Sequence, residues 1–164
     1  MAKISIKAFL DKRRNKKEIE KEKAQKGYIH LVIGASRLGA NIAQRHAKRG
    51  LYVTIVDKDP ESSNRLDEGF TGAFVCGDAV KISTLEEANV KAAREIVIAT
   101  DDDDTNIMIA NIIYAKYNKT NLVVRIDDQT KHDLLLTNQC YIINPYIDSI
   151  AQYIQNYRRK EKER

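Results

Sequence analysis

Short apolar runs alternate with polar, helix-favouring stretches along most of the chain. The apolar runs are continuous, as in strands of a parallel sheet whose two faces are both buried. They predict six strands, at residues 28–33, 51–56, 72–76, 95–99, 121–126 and 140–143. Helices are predicted at residues 38–49, 60–68, 83–88, 103–117, 130–138 and from 146 toward 159. This alternation indicates an α/β fold with helices on both faces of the sheet.

The end of the first predicted strand carries the strongest chemical signal. The strand runs into a turn of sequence Gly-Ala-Ser-Arg-Leu-Gly, residues 34–39, and the second strand is followed by Asp57. A glycine turn that opens a helix presents free N–H groups to phosphates, and an acidic residue about 20 positions later binds a ribose. The pattern predicts a Rossmann-like, doubly wound parallel six-stranded sheet with strand order 3-2-1-4-5-6.

Ser36 occupies the position where the dinucleotide fingerprint has its second glycine. A Cβ atom there narrows the approach of a pyrophosphate. The Ser36 hydroxyl can offset part of this loss by donating to a phosphate oxygen, and Arg37 adds positive charge at the same helix start. We therefore expect the turn to bind phosphate with altered geometry.

Polar residues follow other predicted strands at the same edge of the sheet. Asp57 can accept from both ribose hydroxyls and repels a 2′-phosphate, which favours NAD(H) or an adenosine nucleotide over NADP, although Lys58 softens this preference. Asp78 follows the third strand and can either hydrogen-bond an adenine amino group or cap the next helix. Thr100 follows the fourth strand, where it can line the ribose side.

A row of four aspartates, residues 101–104, opens the helix after the fourth strand. These carboxylates can stabilise the helix N-terminus, and a divalent cation is the alternative. Arg125 ends the fifth strand and needs an anionic partner, either a nucleotide phosphate or one of these aspartates. His30, His46 and His132 are scattered over a strand and two helices, so we predict neither a catalytic triad nor a metal site.

Positive charge is concentrated at the two ends of the chain. Of a net charge of +5, residues 1–26 carry ten Lys/Arg against four Asp/Glu, and residues 158–164 carry five against two. We predict a basic N-terminal arm, helical or disordered, at residues 1–26, one mildly acidic domain at residues 27–157, and a basic tail at residues 158–164. The arm is either a solvated helix or a docking segment for a membrane surface or partner. Nucleic acid is not expected, because the arm has almost no aromatic residues.

Cysteine usage and hydropathy indicate a cytosolic protein. Cys76 and Cys140 lie among apolar neighbours without a metal-ligand spacing, and we expect both to be buried and reduced. No apolar run approaches the ~20 residues that span a bilayer, and the N-terminus lacks the apolar core of a signal peptide. We therefore expect a soluble chain.

Taken together, these motifs resemble the TrkA N-terminal domain, also called the RCK domain, a family that regulates potassium channels and transporters. The resemblance covers about residues 27–157 and extends well beyond the glycine turn. It rests on Gly34 with Arg37, Asp57 with the following Asp59-Pro60, Gly77-Asp78-Ala79, Leu85 to Val90, Ala99-Thr100 with Asp102, Asp103 and Asn106, Arg125, and Asn144-Pro145.

The resemblance implies a domain that binds NAD(H) or an adenine nucleotide (ATP, ADP or AMP). It also implies homodimers, formed partly through the last helix, and rings that act on a membrane potassium channel or transporter subunit. We therefore expect a cytoplasmic location at the inner face of the cell membrane. The C-terminal TrkA domain of many relatives is expected to be absent here and supplied by a second subunit. The residues expected to bind the nucleotide are Gly34, Ala35, Ser36, Arg37, Leu38, Gly39, Asp57, Lys58, Asp78, Ala79, Thr100, Asp101 and Arg125.

The leading functional hypothesis is a nucleotide-binding regulatory subunit that gates potassium movement and is not an enzyme. A small NAD-dependent oxidoreductase is one alternative, but no tyrosine is followed four residues later by the lysine that short-chain reductases use. An interaction module that binds membrane or nucleic acid through its basic ends is the other alternative.

Overall fold

The computed structural model describes residues 28–162, so the predicted basic arm at residues 1–26 lies outside the described residues, as do residues 27, 163 and 164. The strands are β1 (Ile29–Ile33), β2 (Tyr52–Asp57), β3 (Ala73–Cys76), β4 (Ala93–Ile98), β5 (Leu122–Arg125) and β6 (Tyr141–Ile143). The α-helices are α1 (Arg37–Lys48), α2 (Ile82–Glu87), α3 (Asp103–Tyr117) and α4 (Pro145–Lys162).

All six strands are parallel and lie in the order β3-β2-β1-β4-β5-β6, which confirms the predicted fold. The central strand β1 pairs with β2 on one side and β4 on the other, with Ile33 opposite both Val56 and Ile98. The strand order reverses between β1 and β4. Ligands of open α/β sheets bind at such a switch point, beyond the carboxyl ends of the strands.

Apolar side chains of β1 point alternately into two cores, one on each face of the sheet. Leu31 and Ile33 pack with residues of α2 and α3, whereas Val32 packs with residues of α1 such as Ala43. All four side chains are buried. Both faces of the sheet are therefore covered, as the continuous apolar runs predict.

Two predicted α-helices are instead single 3-10 helices, Pro60–Arg65 and Gln129–Leu134. Each starts at an aspartate whose side chain accepts from a backbone N–H two residues later. Each ends at an extended leucine, Leu66 or Leu135, that packs into a core. Bringing the leucine down to the sheet requires extended backbone, so the helices at 60–68 and 130–138 stop early.

The cysteines differ from expectation. Cys76, the last residue of β3, is exposed rather than buried, because β3 lies at the edge of the sheet and has a neighbouring strand on one side only. Cys140 is partly buried, and burial raises the pKa of its thiol. Both are free thiols.

Helix α4 leaves its apolar stripe exposed. Ile147, Ile150 and Ile154 retain 41%, 58% and 41% of their accessible surface, so the stripe does not close over the chain's own sheet. The helix also continues to Lys162, so residues 158–162, expected as a tail, extend α4. Packing on a second copy remains the other predicted arrangement.

Asn106 ties together the loops that follow β4 and β5. Its side chain is fully buried in the first turns of α3. Its Oδ1 atom accepts from the Thr100 N–H at 3.0 Å and the Thr100 hydroxyl at 2.6 Å, and its amide donates to the carbonyl of Arg125 at 3.0 Å. This network fixes the edge of the sheet at the strand-order reversal.

We expect Asn106→Ala to lower the free energy of unfolding by about 2–4 kcal/mol, because it leaves several buried polar groups without partners. Urea denaturation measures the change. The matched control is Asn64→Ala, since Asn64 is exposed and, among residues 28–162, its side chain bonds only to the exposed Glu61. The expected effect of this control is below about 0.5 kcal/mol. Equal losses in the two variants would contradict this role of Asn106.

We expect Gly39→Ala to destabilise the fold by about 1–3 kcal/mol, the usual cost of overpacking. A Cβ atom at Gly39 would overlap the carbonyl oxygen of Gly34, where α1 crosses the turn after β1. Thermal unfolding against Gly69→Ala provides the comparison, because a Cβ atom at Gly69 meets nothing within 4 Å. A Gly39→Ala protein as stable as the parent would show that the turn yields easily.

Candidate functional site

The turn after β1 is closed by backbone contacts to both neighbouring strands. Gly34 has a φ of +94°, and its N–H donates to the carbonyl of Val56 at 2.7 Å. A Cβ atom on Gly34 would lie 2.6 Å from the backbone nitrogen of Thr100. Only glycine combines this conformation with so close an approach of the loop after β4.

The side chain of Ser36 caps α1 and bonds to the protein backbone. Its Oγ atom accepts from the Gly39 N–H at 3.2 Å and donates to the carbonyl of Ala99 at 2.5 Å. Because a hydroxyl has one proton to donate, the expected bond from Ser36 to a phosphate is not available in this arrangement. The serine instead links the start of α1 to the end of β4.

The first N–H groups of α1 are left without protein acceptors. Among residues 28–162, the backbone N–H groups of Ser36, Arg37 and Leu38 donate no hydrogen bond. Such groups, together with the positive end of the helix dipole, form an anion-binding position. The turn therefore has the arrangement expected of a phosphate-binding turn.

Asp57 lies against this turn. Its Oδ2 atom accepts from the Ala35 N–H at 2.6 Å, and its Oδ1 atom accepts from the Asp59 N–H at 2.9 Å. Each carboxylate oxygen offers about two acceptor positions, so both keep capacity for a further donor. The structure thus brings together the two features that the sequence predicted from residues far apart in the chain.

A cavity of about 490 Å³ opens between the turn, the end of β2 and the loops after β3 and β4. This volume is within the usual range of small-molecule sites, about 300–1,000 Å³. Eight of the residues expected to bind the nucleotide line it: Gly34, Ser36, Asp57, Lys58, Asp78, Ala79, Thr100 and Asp101.

A second cavity of about 410 Å³ lies beside the first and shares Arg65 and Asp101 with it. Three more of the expected residues, Arg37, Leu38 and Arg125, line this cavity. The remaining two, Ala35 and Gly39, line neither cavity. Both are buried and act through the backbone: the Ala35 N–H binds Asp57, and the Gly39 N–H binds Ser36.

Asp78 shapes the loop after β3. Its carboxylate accepts from the Val80 N–H at 3.1 Å, two residues ahead. The residue that caps α2 is Lys81, which makes no side-chain capping bond. The alternative prediction, that Asp78 caps this helix, is therefore wrong. Contact with an adenine remains a prediction for Asp78.

Every carboxylate of the aspartate row has a protein partner. Asp101 pairs with Arg125 at 2.6 Å, and Asp102 caps α3 through the Asp104 N–H at 3.0 Å. Asp103 accepts from the Asp127 N–H at 3.0 Å, and Asp104 pairs with Lys131 at 2.7 Å. Local charge and hydrogen bonding therefore account for the row.

Arg125 is paired with carboxylates, one of the two arrangements expected for it. Its guanidinium donates two hydrogen bonds to Asp127, at 3.1 and 2.8 Å, and one to Asp101. The hydrogen bonds to Asp127 and then Asp101 raise the pKa of Arg125, outweighing its partial burial. Its charge is thus largely neutralised before any ligand binds.

Arg65 and Tyr146 line the cavities but were not predicted. Arg65 donates to the carbonyl of Ala35 at 2.9 Å and borders both cavities. The sequence signal for Arg65 is Asp59-Pro60. These residues predict a capped turn directly after β2, and such a turn returns the chain to the edge of the sheet. Tyr146 follows Asn144-Pro145 at the start of α4, and Asn144 anchors this corner by donating to the carbonyl of Asp127 at 2.8 Å.

Two of the three histidines are not scattered, contrary to the sequence prediction. His30 and His46 stack with ring centroids 5.0 Å apart, and Glu95 lies within 3.4 Å of both. The cluster lies near the start of β1 and β4, at the opposite edge of the sheet from the cavities. Only His132, on a 3-10 helix, lies apart from it.

Within residues 28–162, no helix combines the length and hydropathy needed to cross a lipid bilayer.

The chain is 31% identical over 107 residues to the Trk system potassium uptake protein TrkA of Streptomyces coelicolor, and the alignment covers 65% of this chain and 48% of that protein. The chain thus spans about half the length of this relative.

Solved structures share the fold. The Shewanella denitrificans Kef CTD in AMP-bound form matches with a TM-score of 0.63 and 22% identity, over 76% of each chain. The GsuK channel bound to NAD matches with a TM-score of 0.59 and 18% identity, over 72% of this chain and 21% of that chain. At these identities the likeness extends to the fold alone.

The TrkA-N domain family model matches residues 30–145, from the second residue of β1 to the first residue of α4. This range includes the turn, Asp57 and both cavities except Tyr146. The chain therefore belongs to the TrkA-N domain family.

Proposed function

We propose that this chain is a nucleotide-binding regulatory subunit of a potassium transport system, with NAD(H) or an adenine nucleotide (ATP, ADP or AMP) as its ligand. The observation that carries the proposal is the 2.6 Å bond between Ala35 and Asp57, which sets a ribose acceptor beside three free N–H groups. The AMP and NAD named for two structures of the same fold agree in chemistry with this arrangement.

Each part of the site has a distinct role in the proposal. The N–H groups of residues 36–38 bind phosphate, and Arg37 and Arg65 add charge beside them. Asp57 accepts from the ribose hydroxyls. The loops that carry Asp78 and Thr100 enclose the adenosine half, together with Lys58, Ala79 and Asp101.

The charges around the two cavities support one orientation of the ligand. The first cavity is lined by five aspartates and two basic residues, whereas the second is lined by Arg37, Arg65 and the ion pair of Arg125 with Asp101. Anionic phosphates are repelled by the first lining and attracted by the second. The adenosine half therefore lies in the first cavity, and the phosphates extend past the start of α1 toward the second.

We propose a regulatory rather than a catalytic role. Among the described residues, neither cavity is lined by a histidine or a cysteine, and the Thr100 hydroxyl donates to Asn106. A regulator needs only that the nucleotide binds two arrangements of the protein unequally.

The partner in this proposal is a membrane potassium channel or transporter subunit, reached from the cytoplasmic side. The exposed stripe of α4 supports a homodimer or a larger ring, since Ile147, Ile150 and Ile154 have no cover among the residues that the structure describes. A second subunit that carries a C-terminal TrkA domain is a further partner in this proposal. The mass of the native complex extracted from membranes tests partner and copy number together.

Asp57→Ala is expected to weaken nucleotide binding about 10- to 100-fold, the effect of losing hydrogen bonds to a charged acceptor. Isothermal titration calorimetry with NADH, NAD, ATP, ADP and AMP measures it. Asp133→Ala is the matched control, because Asp133 is exposed on the 3-10 helix Gln129–Leu134 and lines neither cavity. The absence of binding by all five nucleotides, or equal binding by the Asp57→Ala protein, would overturn the proposal.

Deletion of residues 1–26 is expected to change nucleotide affinity less than about twofold, because the described residues that line the two cavities, between positions 33 and 146, already include the proposed phosphate and ribose contacts. The same calorimetric titration applies. If the deletion abolished every binding activity of the protein, an interaction module that acts through its basic arm would replace the nucleotide sensor.

A further inference from the structure

We propose that His30, His46 and Glu95 bind one divalent transition-metal ion of the Zn²⁺ type. The three residues come from separate elements: His30 is the second residue of β1, His46 lies in the last turns of α1, and Glu95 is the third residue of β4. This site is separate from both cavities, which lie at the carboxyl edge of the sheet.

The ligand atoms are already spaced for a metal ion. The Oε2 atom of Glu95 lies 3.0 Å from Nδ1 of His30 and 3.4 Å from Nε2 of His46, and all three atoms lie within 4.8 Å of one another. Tetrahedral Zn²⁺ with bonds of about 2.0–2.1 Å holds its ligand atoms about 3.3 Å apart. Small side-chain adjustments suffice to coordinate an ion.

The chemistry of the three ligands selects the class of ion. Two imidazoles and one carboxylate suit Zn²⁺ and its neighbours among the transition metals, whereas Mg²⁺ and Ca²⁺ require mainly oxygen ligands. The side chains of His30, His46 and Glu95 are 14%, 18% and 32% exposed, so an ion and a coordinating water have access. A fourth ligand from water completes a tetrahedron.

Both histidines converge on a single carboxylate oxygen. The Oε2 atom of Glu95 lies within 3.4 Å of both Nδ1 of His30 and Nε2 of His46. A bound cation compensates the carboxylate and uses both imidazoles.

An ion at this position joins β1, β4 and the end of α1. The other end of α1 forms the phosphate-binding turn. The metal therefore holds in place the helix on which the nucleotide site is built, and its expected effect on the apo protein is a higher melting temperature.

The test uses the full chain with Cys76→Ser, because the exposed thiol of Cys76 can bind Zn²⁺ independently. After treatment with EDTA, Co²⁺ is added and the visible absorption of tetrahedral Co²⁺ is recorded, and Zn²⁺ affinity is measured against a chromophoric chelator. One ion per chain is expected. His46→Gln and Glu95→Gln are expected to lower the metal affinity by about 10- to 100-fold or more. Loss of a residue that only supports a metal ligand already costs this much, and these two residues are the ligands themselves.

His132→Gln is the matched control and is expected to bind as the parent does, because His132 lies outside the cluster. Circular dichroism of each metal-free variant verifies folding. The absence of stoichiometric Co²⁺ and Zn²⁺ binding in the parent overturns the proposal, as does parent-like binding by the double variant His30→Gln, His46→Gln. Nucleotide calorimetry on the same samples reports the other site separately.

Discussion

The hydrogen bond between the Ala35 N–H and the Asp57 carboxylate is the interaction on which the candidate site depends. It exists because β1 and β2 run side by side in register and end at the same level, with Ile33 opposite Val56. A second bond, from the Gly34 N–H to the carbonyl of Val56, closes the turn against β2. The geometry of the site therefore follows from strand pairing, and its acceptor and donors need little rearrangement to bind a ligand.

The same edge of the sheet separates charge. Aspartates predominate where the chain leaves β2, β3 and β4, whereas Arg37 and Arg65 lie around the start of α1. Arg65 borders both regions and is held by the carbonyl of Ala35. An elongated ligand with one neutral and one anionic end matches this division better than a compact anion does.

The sequence predicted the backbone far better than it predicted side-chain directions. Continuous apolar runs located all six strands, and the glycine turn indicated their order. The hydroxyl of Ser36 could not be placed, because its acceptor, Ala99, belongs to a strand 63 residues away. The 3-10 helices were missed because Leu66 and Leu135 are drawn into the cores, a tertiary effect that local helix signals do not include.

The histidine cluster could have been found. With the order β1-β4 predicted, the two-residue period of strands places His30 on the face of Val32 and Glu95 on the face of Val97, the face covered by α1. This signal is not local, since His30 and Glu95 are 65 residues apart.

Helix α4 begins in the wall of the second cavity. Pro145 and Tyr146, its first residues, line that cavity, while the rest of the helix stands clear of the sheet. Eighteen residues span about 27 Å, so a tilt of about 10° at Pro145 displaces the far end by roughly 5 Å. A small change of packing at the base of this helix therefore corresponds geometrically to a displacement of several ångströms at its far end.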